Sequence, residues 1–302
     1  MGKVVILGVF VADTAYRAAR MPKMGETILG NTFALGPGGK GSNQSVAAGK
    51  LGADVTIISR LGEDDFGQMA LQTWKAANVK GAIKYSSDAY TGAAFIFVND
   101  KTGDNAIIIA PGAAADISVA DVRENEELIS STDVFLTQLE QPVDVAYEGL
   151  KTARENGKTT ILNPAPAVGL PKEVFEFCDY ITPNETEAEA ITGLPVRDEI
   201  EAEAAAKSLA ALGVKTPVIT MGEQGAFLFG HGMVSAYDAG SVVETTGAGD
   251  AFNGAFAVAL SEEKSVLEAV RFGCATAAIS VTCPGAAPSM PTRDEVEQLL
   301  RG

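Results

Sequence analysis

An α/β fold built on a mostly parallel sheet is predicted by three features of the sequence. Short apolar runs rich in β-branched residues alternate with helical patterns through most of the chain. Several of these runs are apolar at consecutive positions, as strands buried on both faces are. Two stretches interrupt the rhythm with β-like runs and no helix between them. At 302 residues the chain could hold one large domain or two. It carries no internal repeat and no linker longer than a loop, so the expected organisation is one principal domain over 1–302 with a small β appendage.

The apolar run from Val4 to Ala12 is too short to span a bilayer and lacks a small-residue cleavage pattern before Asp13. It reads as a buried first strand at 4–8. Further buried strands are predicted at 55–59, 134–137, 159–162, 180–182 and 217–220. Helical periodicity places helices at about 42–52, 65–77, 143–156, 185–192 and 200–212, and the tail beyond Ala248 reads as helices near 248–260, 264–281 and 293–300. The interruptions lie near 10–35 and 82–109, with β-like runs at 27–35, 93–98 and 106–109. They suit a small antiparallel sheet standing off the main one, a common way to close a ligand site against water.

Lys and Arg number 23 against 39 Asp and Glu, a formal charge of −16. A field of that sign repels nucleic acid and anionic lipid, so neither is an expected partner. Cys178, Cys274 and Cys283 are odd in number without CxxC spacing, and read as reduced thiols of a cytoplasmic protein. The single histidine, His231, lies between two glycines in a turn-like segment. A general base is therefore sought among carboxylates and lysines.

Glu244-Thr245-Thr246-Gly247-Ala248-Gly249-Asp250, followed by an apolar helix, carries the most chemistry. Two glycines permit a tight turn with bare N–H groups, and the helix N-terminus behind them adds partial positive charge. Such a cradle suits a transferring phosphoryl group, with Asp250 placed to accept a proton from an attacking hydroxyl. The structural alternative is a loop with an N-capping aspartate. No G-x-x-x-x-G-K-[ST] occurs, which excludes a Walker loop.

Gly36-Pro37-Gly38-Gly39-Lys40-Gly41-Ser42-Asn43-Gln44 formally contains G-x-G-x-x-G, yet it does not follow the first strand, and no acid stands clearly at the end of a second. A flexible loop presenting amides, Lys40 and Asn43 to a polyhydroxyl ligand is the preferred reading, and a Gly-rich turn before an ordinary helix the plain one. Asn184 followed by Glu187 is a capping-box pattern. Thr220-Met221-Gly222-Glu223-Gln224-Gly225 ends a strand with glycines that could approach a nucleotide or form a hairpin turn.

Taken in order, these segments together with Asn163-Pro164-Ala165-Pro166-Ala167 and Gly285-Ala286-Ala287-Pro288-Ser289 resemble the ribokinase-like (PfkB) carbohydrate kinases, from Val4 to about Pro291. The resemblance implies a Rossmann-like sandwich with a β-sheet lid. It implies ATP as phosphoryl donor and a small sugar as acceptor. Asp250 would be the base, and the amides of Gly247, Ala248, Gly249 and Asp250 the anion hole. Asp13, Gly39, Lys40, Asn43 and Glu140 would hold the sugar. Asn184, Thr220, Gly222, Gly225, Gly249 and Cys274 would line the nucleotide, with Asn184 and Glu187 organising Mg²⁺. Glu244, Thr246, Ser280, Cys283, Gly285 and Ser289 match the family's K⁺ site, and a homodimer through the lid is implied. Two positions depart from the pattern. Val11 replaces an Asn that commonly contacts the sugar, which would suit an acceptor lacking a hydroxyl, such as 2-deoxyribose. Glu244 replaces an Asp at the cation site. A nicotinamide-dependent oxidoreductase built on 36–41 and a non-catalytic sugar-binding protein are the readings of other classes.

Overall fold

The computed structural model describes residues 1–302. In chain order the elements begin with β1 (Lys3–Leu7), β2 (Val11–Ala18), β3 (Thr32–Gly38), α1 (Lys40–Lys50), β4 (Asp54–Gly62), α2 (Asp65–Ala76) and β5 (Val79–Ser86). There follow β6 (Thr91–Asn99), β7 (Asn105–Gly112), α3 (Val119–Glu124), α4 (Glu126–Ser130), β8 (Val134–Thr137), α5 (Val143–Glu155) and β9 (Thr159–Leu162). The remainder comprises β10 (Tyr180–Ile181), α6 (Glu185–Thr192), α7 (Glu199–Ala211), β11 (Thr216–Thr220), β12 (Ala226–Leu228), β13 (Gly232–Val234), α8 (Ala248–Ser261), α9 (Val266–Ser280) and α10 (Arg293–Arg301).

Nine strands form the main sheet in the order β13-β12-β11-β10-β9-β8-β1-β4-β5, parallel from β11 to β5 and antiparallel at the β12–β13 edge. Alternation of side chains divides the interior in two. Val4 and Ile6 of β1 join the core beneath α1, α8 and α9, whereas Val5 and Leu7 join the core beneath α5 and α7. Helix α8 is apolar nearly all round, and eleven of its fourteen residues are buried. It packs on α1 so closely that a Cβ on Gly254 would lie 2.6 Å from the Gln44 carbonyl oxygen.

The chain leaves β1 for one side of the sheet (β4, β5) and returns to the other side at β8, which makes the β1/β8 boundary a topological switch point. A second sheet, in the order β3-β2-β6-β7, stands beside it with β2 and β6 parallel and the flanking pairs antiparallel. The predicted α/β class and buried strands are present. The 27–35 run is displaced, since its strand spans Thr32–Gly38, and residues 82–86 belong to β5 of the main sheet rather than to the small one. No helix is long and apolar enough to cross a membrane.

Candidate active site

The C-terminal ends of β1, β8, β9, β10 and β11 open onto one cleft, and each supplies polar groups from the residues that follow. They lead into Gly8, Gln138 to Glu140, Asn163, Thr182 to Asn184, and Thr220. Lys40, Asn163, Thr182, Asn184, Glu187, Thr220, Thr245, Gly247, Gly249, Asp250 and Asn253 line a pocket there, together with Ala165.

Asp250 lies in the first turn of α8, but Gly247, with φ 84°, occupies the N-cap position. The capping role considered for Asp250 is thus ruled out: its carboxylate instead accepts Asn43 Nδ2 at Oδ2 (3.0 Å) and Gln44 Nε2 at Oδ1 (3.0 Å). A Cβ on Gly249 would meet nothing within 4 Å, so the turn at this helix N-terminus has open space beside Gly249. Burial pushes the Asp250 carboxyl above its ordinary range, against the pull of the Lys40 ammonium and the two amide donors.

The Gly36–Gly41 segment is not the flexible loop expected. Gly36 to Gly38 close β3, and Lys40 opens α1. The glycines serve close approach. Gly39 has φ 87°, with the Val9 carbonyl oxygen 2.6 Å from where its Cβ would lie, and the Asp13 carboxylate occupies the Cβ space of Gly38. This strand belongs to the small sheet, not to a βαβ unit, which removes the dinucleotide-fingerprint reading. Glu140 Oε2 accepts the Lys40 backbone N–H at 2.7 Å. Burial, aided by Asp250 and Asp13 against Lys40, raises Glu140 to about 7. Burial, then Asp250 and Glu244, raise Asp13 to about 6. Burial works against the Lys40 charge, but Asp250, Glu140 and Glu187 hold its ammonium above the usual lysine range. The Asn43 Oδ1 atom is buried without a partner.

The capping box at Asn184 and Glu187 is formed, with Asn184 Oδ1 accepting the Glu187 N–H at 2.8 Å and Glu187 Oε2 accepting the Asn184 N–H at 2.9 Å. Glu187 keeps Oε1 free beside the cleft. Thr220 bridges to Asn184. Gly222 and Gly225 (φ 52° and 106°) turn the chain from β11 into antiparallel β12, so the hairpin reading holds. Cys274 is buried in the core on α9 and raised by burial to about 12, outside the cleft lining. Glu244 Oε2 accepts the Gly285 N–H at 2.9 Å, tying two loops together. Ser280 and Ser289 donate to the Ala277 and Ala286 carbonyls, and Cys283 is exposed.

Three residues outside the predicted set, Gln44, Asn163 and Gln138, complete the surroundings of Asp250. Gln44 Nε2 also donates to Asn163 Oδ1 (3.0 Å), and Gln138 Nε2 donates to Gln44 Oε1. The available signal was that Gln44 and Asn163 lie inside the quoted motifs, but the partners of Gln44 are 94 to 206 residues away.

A buried carboxylate beside an open amide turn at a helix N-terminus, in the C-terminal cleft of an α/β sheet, is the constellation of an enzyme that transfers phosphoryl groups to alcohols. Residues 1–293 match the family described as pfkB family carbohydrate kinase, and the chain belongs to that family. It is 42% identical to a ribokinase of Haemophilus influenzae over 98% of this chain and 97% of that one. A deoxyribokinase of Salmonella typhi is 33% identical over 98% of each. Among solved structures, Arabidopsis thaliana ribokinase complexed with ribose and ATP matches with a TM-score of 0.93 and 33% identity, covering all of both chains.

Proposed function

We propose that this carbohydrate kinase transfers the γ-phosphoryl group of ATP to the primary (5-) hydroxyl of D-ribose or a closely related pentose. The observation that carries the reading is Asp250, held by two amide donors beside the Gly247–Gly249 turn, with Lys40, Asp13 and Glu140 close enough to act on its charge. Asp13, Gly39, Lys40, Asn43 and Glu140 bind the sugar; carboxylates and amides in fixed geometry are the groups that read hydroxyls. Asp250 takes the hydroxyl proton as the oxygen bonds to the γ-phosphorus and the bond from phosphorus to the β–γ bridging oxygen breaks, releasing ADP. The Gly247, Gly249 and Asp250 amides hold the charge on the transferring group, while the Ala248 N–H is given to the Thr245 carbonyl oxygen at 3.2 Å.

Lys40 is the one cation lining the cleft, so a polyphosphate needs further neutralisation there. The free Oε1 of Glu187, with Asn184 beside it, offers the oxygen donors a Mg²⁺ shell requires, and bound Mg²⁺ would neutralise the phosphates. The second carboxylate oxygen of Glu244, with hydroxyls of Thr246, Ser280 and Ser289 and the turns at Cys283 and Gly285, is a donor set suited to K⁺. Asn184, Thr220, Gly222, Gly225 and Gly249 border the nucleotide.

The test is an ATP-dependent phosphorylation screen with Mg²⁺, with and without K⁺, over ribose, 2-deoxyribose, other sugars and nucleosides. Turnover of ribose or 2-deoxyribose is expected, and no turnover of any pentose overturns the reading. Asp250→Asn is expected to lose at least about a hundredfold in kcat, the scale of a lost general base, with sugar binding by calorimetry nearly unchanged. A variant retaining most of its rate would sink the assigned mechanism.

A further inference from the structure

Asp250 is held by a chain of side-chain amides whose polarity is set from a backbone atom. Asn163 Nδ2 donates to the Thr182 carbonyl oxygen at 3.0 Å, which can only accept. That contact turns Asn163 Oδ1 toward Gln44, and Gln44 Nε2 donates to it and to Asp250 Oδ1, both at 3.0 Å. Gln138 Nε2 closes the chain on Gln44 Oε1. A reversed Gln44 amide would face its oxygen toward two acceptor oxygens and its NH₂ toward a donor, so only one orientation is compatible with the neighbours. Gln44 is fully buried at 0% exposure and cannot itself touch a substrate.

We propose that Gln44 is a positioning residue for the base: the chain from Thr182 through Asn163 to Gln44, closed by Gln138, makes Asp250 Oδ1 an obligatory acceptor. The carboxylate then meets the sugar ionised, with Oδ2 as the atom that receives the hydroxyl proton. Each carboxylate oxygen accepts one amide N–H, but the donor on Oδ1 is fixed in polarity through Asn163, whereas Asn43, whose own Oδ1 has no partner, holds Oδ2 without that constraint. The same network reaches the anion hole, since Thr182 Oγ1 donates to Asn253 Oδ1 and Asn253 Nδ2 donates to the Gly249 carbonyl at 2.8 Å. Base and cradle are thus registered to each other through Thr182.

This inference rests on Asp250 as the base. Charged groups facing Asp250 are Lys40 from α1, Asp13 from β2, Glu140 after β8 and Glu187 from α6. Among these Gln44 bonds none, so a difference between wild-type and variant profiles isolates its effect on Asp250. The experiment compares pH profiles of kcat, and sugar affinity by calorimetry, for wild type, Gln44→Leu, Gln138→Leu and Asp250→Asn. For Gln44→Leu the acid limb is expected to move up by about one pH unit and the plateau kcat to fall about tenfold, as for a lost hydrogen bond to a charged group. Sugar affinity should stay within about twofold. Gln138→Leu, which does not touch Asp250, should move the limb the same way by less, and it carries the test alone if Gln44→Leu fails to fold. An unmoved limb, or a loss of kcat matched by an equal loss of sugar affinity, overturns the proposal. If Asp250→Asn is inactive while both glutamine variants behave as wild type, only the role of Gln44 falls. If Asp250→Asn stays active, the base assignment falls with it.

Discussion

We propose that Val11 tunes acceptor choice without altering the chemistry of the site. It is 6% exposed, and its Cγ1 stands 2.8 Å from where a Cβ on Gly92 would be, so the glycine makes room for the branched side chain. An apolar group there cannot pair with a sugar hydroxyl, and a buried hydroxyl left unpaired costs about 1–3 kcal/mol. Val11→Asn is expected to raise the ratio of kcat/KM for ribose over 2-deoxyribose about fivefold or more, measured by coupled ADP release. An unchanged ratio would remove Val11 from the determinants of acceptor choice.

At the scale of elements, the catalytic geometry depends on how α1 and α8 meet, because one carries Asn43 and Gln44 and the other Asp250. Their contact tolerates only glycine at 254, where a Cβ would also come within 2.7 Å of the Ala47 Cβ. Gly254→Ala is expected to lower stability by about 1–3 kcal/mol through overpacking, and to lower kcat more than sugar affinity as Asp250 shifts from its donors. Thermal unfolding and steady-state kinetics read the two effects separately. Helices and buried strands were legible because their signals are local: the apolar run of β1, the capping box at Asn184, the glycines ahead of α8. The β5 strand and the β12–β13 hairpin were not. Lys80 to Ser86 is half exposed and lacks an apolar face to read, and three-residue strands carry too little pattern.

On the whole-molecule scale, two properties follow from what is buried and what is left out. Glu140 rests at about 7 against an ordinary 4.5, so between those values the native state holds a proton that the unfolded chain has released. Stability of the ligand-free protein is therefore expected to fall as pH rises from about 4.5 to 7, with Asp13 (about 6, from 3.8) adding to the slope. Glu140→Gln should flatten that decline in urea unfolding followed across the window; an unchanged slope would exclude Glu140 as its source. The second property is the outer sheet. Phe33 (59% exposed), Leu35 (45%) and Ile108 (65%) share it with Tyr16, whose ring lies 5.1 Å from that of Phe33. An exposed apolar sheet with unpaired edges favours pairing with a second copy. A homodimer is the expected state in analytical ultracentrifugation, and Phe33→Glu should shift it toward monomer; a monomeric wild type would rule out pairing through this sheet.

By itself the sequence determined the fold class, the principal strands and helices, and the presence of a glycine turn ahead of an apolar helix, since each depends on neighbours within a few positions. Its motifs also determined the kinase family. Only the tertiary structure decided that Asp250 is a bonded acceptor rather than a helix cap, that Gly36 to Gly41 is strand end and helix start rather than a loop, and that Gln44, Asn163 and Gln138 surround the base. The first and last of those facts rest on contacts between residues 94 to 207 positions apart, whose partners are set by how buried polar groups satisfy one another after the sheet and helices have packed.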